Sequence, residues 1–204
     1  AGRGVVRDGW IYFGGRPVVY VPYLSFPIDN RRKSGFLFPT ISNSVISGFS
    51  FSVPYYWNIA PNLDATITPN WLQKRGMRLQ THLRYLTLNT HGSVRASILP
   101  HDRAYQSFRE NKQEHYQDDG LSASDPRVLA LYHAKHRKAF SWQHESLWGP
   151  HFIGKVNYNR VSDDNYFVDL SNDIKASSTS SLAQEGTVYY NGTHWHNFLK
   201  LQQL

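Results

Sequence analysis

The amino-acid sequence predicts an all-β protein whose antiparallel strands belong to a transmembrane β-barrel. Apolar and polar residues alternate along most of the chain, and the expected connections are short at one end of the sheet and long at the other. The composition agrees, because 15% of the residues are aromatic and yet the mean hydropathy is −0.52. Strand alternation produces this combination, since successive side chains point to opposite faces of a sheet.

The first expected elements are two short strands at residues 10–13 and 17–24, joined by Gly14-Gly15. A glycine pair favours a tight hairpin, because both turn positions then adopt positive φ without steric cost. The basic triple Arg31, Arg32 and Lys33 follows, and after it the alternating segments become longer. One short helix is expected at residues 125–138, where a proline precedes a run of helix formers.

Nine strands are expected after the basic triple, at residues 35–41, 49–55, 63–71, 77–85, 94–98, 139–143, 152–159, 187–190 and 195–201. Several reach about 9–11 residues, the length that a tilted membrane strand needs, whereas strands of soluble proteins are usually about 5–6 residues long. The two long links, 101–136 and 162–184, fall at the same end of the sheet. Short turns at one end and long loops at the other are typical of bacterial outer-membrane barrels.

The composition also excludes several classes of protein. The aromatic content excludes a disordered chain, and no run approaches the roughly 18 apolar residues of a spanning helix. Cysteine is absent, so this segment holds no disulfide and no thiolate site. The net charge of +7 is mostly scattered, which indicates solvated charge rather than a nucleic-acid footprint. The chain begins at Ala1 and its only methionine is Met77, so a processed protein or an excised fragment is expected.

Four motifs resemble the family of the LPS-assembly protein LptD. They are VPYLSFPIDNRRKSGFLFP at residues 21–39, VPYYWNIAPNLDATITP at 53–69, LRYL at 83–86 and NYNRVSDDNYFVDL at 157–170. Their order and spacing fit that family, and the run YYWNIAPN is too long and unusual to arise by chance.

The resemblance implies insertion of lipopolysaccharide into the outer leaflet of the Gram-negative outer membrane. It implies that residues 1–29 end a periplasmic β-jelly roll. Residues 30–204 then form the N-terminal strands of a large barrel, not closed in this segment, with extracellular loops at 101–136 and 162–184. The implied partners are lipopolysaccharide, the lipoprotein LptE as a barrel plug, and the periplasmic bridge protein LptA. Enzymatic activity, a cofactor and nucleic acid are not expected.

Three prolines, Pro39, Pro54 and Pro69, interrupt three successive expected strands at a constant spacing. Proline has no N–H to donate to a β-ladder, so we expect weak pairing at the N-terminal edge of the sheet. The resemblance assigns Pro54 and Pro69 to a lateral gate for lipid, and the spacing extends that set to Pro39. Ordinary edge or bulge prolines are the alternative interpretation.

Charged side chains on the polar strand face form a second candidate site. Arginines there could guide phosphorylated headgroup sugars, since charge-assisted hydrogen bonds to phosphate are strong. The expected lipid-path or lumen contacts are Tyr23, Phe26, Arg31, Arg32, Lys33, Arg78 and Arg84. The same face also carries Asp64, His82, Arg95 and Lys155. Hydration of a wide lumen, or contact with the plug, is the alternative explanation of these charges.

Two functions from other classes stay open. A soluble, secreted β-sandwich could bind carbohydrate through exposed aromatic residues such as Trp10, Trp57, Trp142 and Trp148. A basic nucleic-acid binder is the other, supported only by aromatic residues interleaved with arginines. A metal is not expected, because the histidine pairs at 133/136 and 194/196 bring no third ligand at zinc spacing.

Overall fold

The computed structural model describes residues 3–28, 32–118, 120, 122, 125, 136–163, 165–170 and 182–203. The described chain is built almost entirely of antiparallel strands. They are β1 (Arg3–Phe13), β2 (Arg16–Pro27), β3 (Gly35–Phe36), β4 (Thr40–Ser44), β5 (Gly48–Ser52), β6 (Tyr55–Ala60), β7 (Leu63–Leu72), β8 (Gly76–Leu86), β9 (Thr90–Leu99), β10 (Arg137–Trp148), β11 (Phe152–Val161), β12 (Gln184–Asn191) and β13 (His196–Gln203). Two helices accompany them, α1 (Arg103–Asp118) and α2 (Tyr166–Leu170).

The first two strands form a separate two-stranded sheet. Strand β1 pairs with β2 from Arg3↔Pro27 to Phe13↔Arg16. The turn between them uses Gly14 and Gly15 at φ angles of 58° and 78°, which only glycine adopts readily. The expected hairpin is therefore confirmed, although both strands are longer than the sequence indicated.

The other eleven strands form one antiparallel sheet that does not close on itself. Its order is β13-β12-β11-β10-β9-β8-β7-β5-β4, with β6 paired to both β7 and β3. Strands β5 and β6 lie end to end along β7, and β3 and β4 lie end to end along them. Nine strand lines therefore exist, as predicted, but the first two are broken. The described strands do not form two facing large sheets, so a β-sandwich finds no support.

The two faces of the large sheet differ in polarity, as the alternation predicts. Polar side chains of β7, β8 and β9 line a cleft on one face; they include Thr66, Thr68, Gln80 and Arg95. The opposite face exposes large apolar side chains, among them Trp71, Met77, Leu79, Ile98, Phe140, Trp148 and Phe152. Leu79 and Ile98 are cross-strand partners and remain 42% and 37% exposed.

The connections also differ between the two ends of the sheet. The turns at residues 61–62, 87–89, 149–151 and 192–195 lie at one end and are all short. The two long connections, which follow β9 and β11, lie at the other end and contain α1 and α2. No helix in the described ranges has the length and apolar character needed to cross a membrane.

Three local expectations need correction. Helix α1 occupies residues for which a loop was expected. The helix expected at 125–138 lies largely outside the described residues, and its last two positions, Arg137 and Lys138, begin β10. The Asn191-Gly192 turn is wider than a two-residue hairpin, because Asn191 pairs with His196 and the Gly192 N–H donates to the Trp195 carbonyl at 2.9 Å.

Candidate functional site

The three prolines lie side by side across the first three strand lines of the large sheet. Pro39 falls in the break between β3 and β4, and Pro54 falls in the break between β5 and β6. The Leu37 N–H donates to the Pro54 carbonyl at 2.8 Å, and the Val53 N–H donates to the Pro69 carbonyl at 3.3 Å. We call this row of Pro39, Pro54 and Pro69 the proline seam.

Pro69 differs from the other two prolines, because β7 runs through it without interruption. The expectation that it breaks its own strand was wrong. In an extended strand the N–H and C=O of one residue point to the same side, and the Pro69 carbonyl points to Val53. Its missing N–H is therefore lost from the side of the β5–β6 break, while the pairing of Pro69 with Leu79 of β8 is kept.

The strands on the N-terminal side of the seam are held by few residue pairs. Strand β3 pairs with β6 at only two positions, beginning at Gly35↔Tyr56. Strand β5 pairs with β7 at three, Ser50↔Leu72 to Ser52↔Asn70. By contrast, β7 and β8 are paired along their whole length. The edge of the sheet that holds the seam is therefore its most weakly bonded described part.

A polar cleft of about 1430 Å³ opens directly inside the seam. Pro54 lines one wall, β7 to β9 form the floor, and α2 forms the opposite wall. Buried polar atoms of this floor that have no hydrogen-bond partner among the described residues include Asn70 Oδ1, Arg78 Nε and His82 Nε2. Buried polar atoms are normally hydrogen-bonded, so the cleft is chemically suited to water or a polar ligand.

Arg78, expected as a lumen contact, is almost fully buried under α2. Its Nη1 donates to the Leu170 carbonyl at 2.8 Å. The side chain thus holds the end of a short helix in place. The apolar residues around it form the described core cluster, which consists of Leu72, Leu99, Tyr166 and Leu170.

Arg32 and Arg84 meet at a single buried carboxylate, Asp64, which is 1% exposed. Arg84 binds it with Nε and Nη2, at 2.8 Å and 2.9 Å, and Arg32 adds a third ion-paired donor. The Tyr56 hydroxyl also donates to Asp64, at 3.2 Å. We call these four residues the Asp64 cluster. The sequence placed Asp64 and Arg84 on one strand face but gave no sign that Arg32 joins them.

The remaining predicted contacts lie near the junction of the two sheets. The Phe26 ring packs against Phe38 with 4.9 Å between centroids, so it links the hairpin to the edge of the large sheet. Tyr23 is 58% exposed on β2, and Lys33 is half-buried. Arg31 lies outside the described residues.

A second buried charge network joins the two long connections. The Arg137 guanidinium, 0% exposed at the start of β10, forms ion pairs with Asp102 at 3.0 Å, Asp163 at 2.7 Å and Asp169 at 2.6 Å. Arg75 pairs with Asp102 at 2.6 Å and Asp169 at 3.1 Å. We call these five residues the Arg137 cluster. They fix the start of α1 and the end of α2 to the same end of the sheet.

Two tyrosines complete this network. The Arg137 guanidinium lies 4.5 Å from the Tyr105 ring centroid and 5.6 Å from that of Tyr166. Burial raises the pKa of both tyrosine hydroxyls, and the Asp163 carboxylate raises that of Tyr105 further. Both rings therefore stay neutral at physiological pH and can pack face-on to the cation.

Comparison with known proteins identifies the family. The family model described as LPS transport system D (LptD) matches residues 135–204. Curated relatives, each named LPS-assembly protein LptD, align over nearly the whole chain. Those of Coxiella burnetii and Nitrosococcus oceani are 36% and 38% identical over 98% of this chain, and that of Pseudomonas aeruginosa strain LESB58 is 36% identical over 98%. The chain belongs to the LptD family.

The chain covers 24%, 23% and 19% of these three relatives, so it spans about a quarter of an LptD protein or less. The open edges of the large sheet, β3–β4 and β13, agree with an open fragment of a β-barrel. Within the described ranges of this LptD segment, no group of three or more His, Asp or Glu side chains is placed to hold a metal.

Sequence reasoning missed the whole Arg137 cluster. Its members come from the β7–β8 turn, from the beginnings of the two long connections, from α2 and from the start of β10, and no spacing in the sequence relates them. One partial signal was available for α1. Asp102 precedes sixteen residues free of Gly and Pro, and its Oδ1 accepts the Tyr105 N–H at 3.2 Å, as an N-cap does.

Proposed function

We propose that this segment forms the N-terminal wall of an outer-membrane barrel that delivers lipopolysaccharide to the outer leaflet. In this proposal the lipid leaves sideways through the proline seam. The names of the relatives support transport and assembly of lipopolysaccharide. The activity is transport, and no catalytic step belongs to it.

The observation that carries the proposal is the position of the seam at the edge of the sheet. A barrel wall in lipid holds together because every backbone N–H and C=O is paired. Each net hydrogen bond contributes about 0.5–1.5 kcal/mol. Pro54 and Pro69 remove donors from the ladders that attach the first strand line to the second and the second strand line to β7, so this edge of the sheet moves away from the wall at lower cost than a fully paired edge.

The polar cleft inside the seam is the proposed contact for the lipid headgroup. Its wall carries the hydroxyl groups of Ser50 and Ser52, and its floor carries Thr66 and Arg95. Hydroxyls and guanidinium groups suit phosphorylated sugars. Because Arg78 is committed to α2, Arg95 is a better candidate for phosphate than Arg78. Arg84 and Arg32 keep side chains that are 56% and 49% exposed, and so stay candidates too.

The proposal assigns residues 1–29 to the end of a periplasmic jelly roll and the long connections to the extracellular side. Tyr23 and Phe26 then lie where acyl chains pass from one part to the other, with Arg31 and Lys33 next to them in sequence. The wide polar face of the large sheet suits a plug such as LptE, and the jelly roll suits contact with LptA.

The test replaces Pro54 and Pro69 together with valine in the full-length protein. The two substitutions restore two backbone N–H donors to the ladders of the seam. At about 0.5–1.5 kcal/mol for each hydrogen bond, opening of the seam is expected to slow by roughly fivefold or more. The measurement is the rate at which newly made lipopolysaccharide reaches the cell surface, at equal levels of inserted protein.

The matched control is Pro150→Val, because Pro150 lies in the tight turn between β10 and β11, away from the seam. It is expected to leave the rate unchanged. An unchanged rate in the Pro54→Val, Pro69→Val double variant would show that lipid does not leave through the seam.

A further inference from the structure

A buried carboxylate lies where the linker between the two sheets meets the barrel wall. The Asp64 side chain is 1% exposed at the start of β7. An unpaired carboxylate at such a depth is strongly disfavoured, so its two arginine partners determine whether the local structure is stable. One partner, Arg84, comes from the neighbouring strand, and the other, Arg32, comes from the linker.

Arg84 forms a fixed base for the cluster. Asp64 and Arg84 are cross-strand partners on β7 and β8, and the guanidinium binds both carboxylate oxygens. Two parallel N–H···O bonds give this pair a defined orientation. The carboxylate therefore has a fixed orientation toward residues 32–34, in which it binds the guanidinium of Arg32.

The other N–H groups of Arg32 donate to β6 and to the β6–β7 turn. Its Nη1 donates to the Pro61 carbonyl at 2.8 Å, and its Nε donates to the Tyr56 hydroxyl at 3.0 Å. Asn58 secures the backbone, because its Nδ2 donates to the Arg32 carbonyl at 3.1 Å and its N–H donates to Ser34 Oγ at 2.9 Å. Residues 32–34 are thus tied to β6, to the β6–β7 turn and to β7.

This attachment lies immediately before the weakest part of the sheet. Strand β3 begins at Gly35, is held to β6 by two residue pairs, and is then broken off before Pro39. Such a short pairing holds an edge strand poorly. A force that moves this edge outward would therefore separate β3 from β6 as easily as it separates the edge from a closing strand.

We propose that the Asp64 cluster is a clamp that keeps the linker and the first strand on the barrel wall while the gate opens. The clamp compensates for the pairing that the prolines remove, and it restricts opening to the outer edge. Arg32, Asp64 and Arg84 are positioning residues in this role. The role of the clamp in lipid export rests on the proposed function, whereas the attachment of residues 32–34 to β6 and β7 does not depend on it.

Hydrogen exchange of the full-length protein tests the clamp without reference to transport. Asp64→Asn removes the charge that holds Arg32, so amides of residues 35–44 are expected to exchange about tenfold faster or more, while β9 amides stay unchanged. The matched control is Glu145→Gln, which removes an ion pair of 2.9 Å with Lys155 on the same sheet and is expected to change neither region.

An engineered disulfide between residues 34 and 58 tests whether reattaching the two segments restores slow exchange. Ser34→Cys with Asn58→Cys joins the same two segments, and in the Asp64→Asn background its disulfide is expected to restore slow exchange of residues 35–44. Reduction of the disulfide is expected to return the fast exchange. A tether between Thr90→Cys and Ser146→Cys, whose hydroxyls lie 2.7 Å apart on β9 and β10, is expected to rescue nothing.

Unchanged exchange at residues 35–44 in an inserted Asp64→Asn protein would overturn the clamp. Blocked export by the oxidised Ser34–Asn58 tether alone would overturn it too, because the linker would then have to leave the wall. Should Asp64→Asn not insert, Arg32→Gln gives the same comparison and leaves Asp64 paired with Arg84. Normal export after replacement of the seam prolines would refute the gate, yet the exchange result would still decide the clamp.

Discussion

At the scale of single residues, Arg137 concentrates more interactions than any other described side chain. Its guanidinium is in contact with three carboxylates and two tyrosine rings, and all of these come from the long connections at one end of the sheet. Arginine suits this position because its planar group donates in several fixed directions at once. A lysine could satisfy one of the carboxylates but not the set.

Replacing Arg137 with alanine is expected to loosen both helices. Asp163 would stay buried without its cation, and Asp102 would keep only Arg75, at a cost of about 3–5 kcal/mol. The measurement is amide exchange of α1 and α2 in the full-length protein, which should accelerate strongly. Lys155→Ala, which removes a half-exposed ion pair, is expected to cost less than about 1 kcal/mol. Equal effects of the two substitutions on amide exchange of α1 and α2 would show that Arg137 does not hold these helices in place.

At the scale of elements, the broken strands show how one side chain changes a neighbouring strand rather than its own. Pro69 leaves β7 intact and withholds a donor from the β5–β6 side. The break between β5 and β6 therefore has two causes, Pro54 in that strand and Pro69 beside it. Periodicity along one strand cannot reveal the second cause.

Pro69→Val alone is expected to strengthen the β5–β6 side without altering β8. The new N–H adds one net hydrogen bond of about 0.5–1.5 kcal/mol, so the amides of residues 52, 53 and 55 should exchange up to about tenfold more slowly. Exchange along β8 is the internal control. If protection rose along β8 and not at residues 52–55, the direction assigned to the missing donor would be wrong.

At the scale of the whole molecule, the two faces of the large sheet meet different surroundings. One face exposes a band of apolar side chains, and the other lines a polar cleft. A soluble sheet buries its apolar face against a second layer. The described strands place no such layer there, which agrees with the proposal that this face of the sheet lies against lipid.

Arginine scanning of neighbouring positions on β8 tests this assignment. Leu79→Arg faces the apolar side and is expected to destabilise the inserted full-length barrel by about 2–4 kcal/mol. Gln80→Arg, one residue further along, faces the cleft and should be nearly neutral. The measurement is the yield of folded protein in lipid vesicles over a urea series. Equal tolerance of both substitutions would count against a lipid-facing side.

Much of the fold followed from local patterns. Period-two alternation predicted the strand lines, because side chains in a strand alternate between faces whatever they pack against. The glycine pair predicted the first hairpin through its positive φ angles. The family resemblance, confirmed by relatives at 36–38% identity, came from short motifs, two of which (residues 53–69 and 83–86) lie on strands β6 to β8.

The candidate site was only partly predictable. The prolines were visible, since a missing N–H is a property of the residue, but their alignment across three strand lines depended on register. Helix α1 was missed because its residues are polar on average, so its few apolar side chains did not stand out in the sequence.

The sequence by itself determined the strands, their two faces and the loss of donors at Pro39, Pro54 and Pro69, because each of these depends on neighbours within a few residues. Only the tertiary structure decided which charges meet. Asp64 pairs with Arg32 and Arg84, and Arg137 pairs with carboxylates 26 to 35 residues away. Ion pairs form between side chains that folding brings within a few ångströms, and sequence separation does not specify that distance.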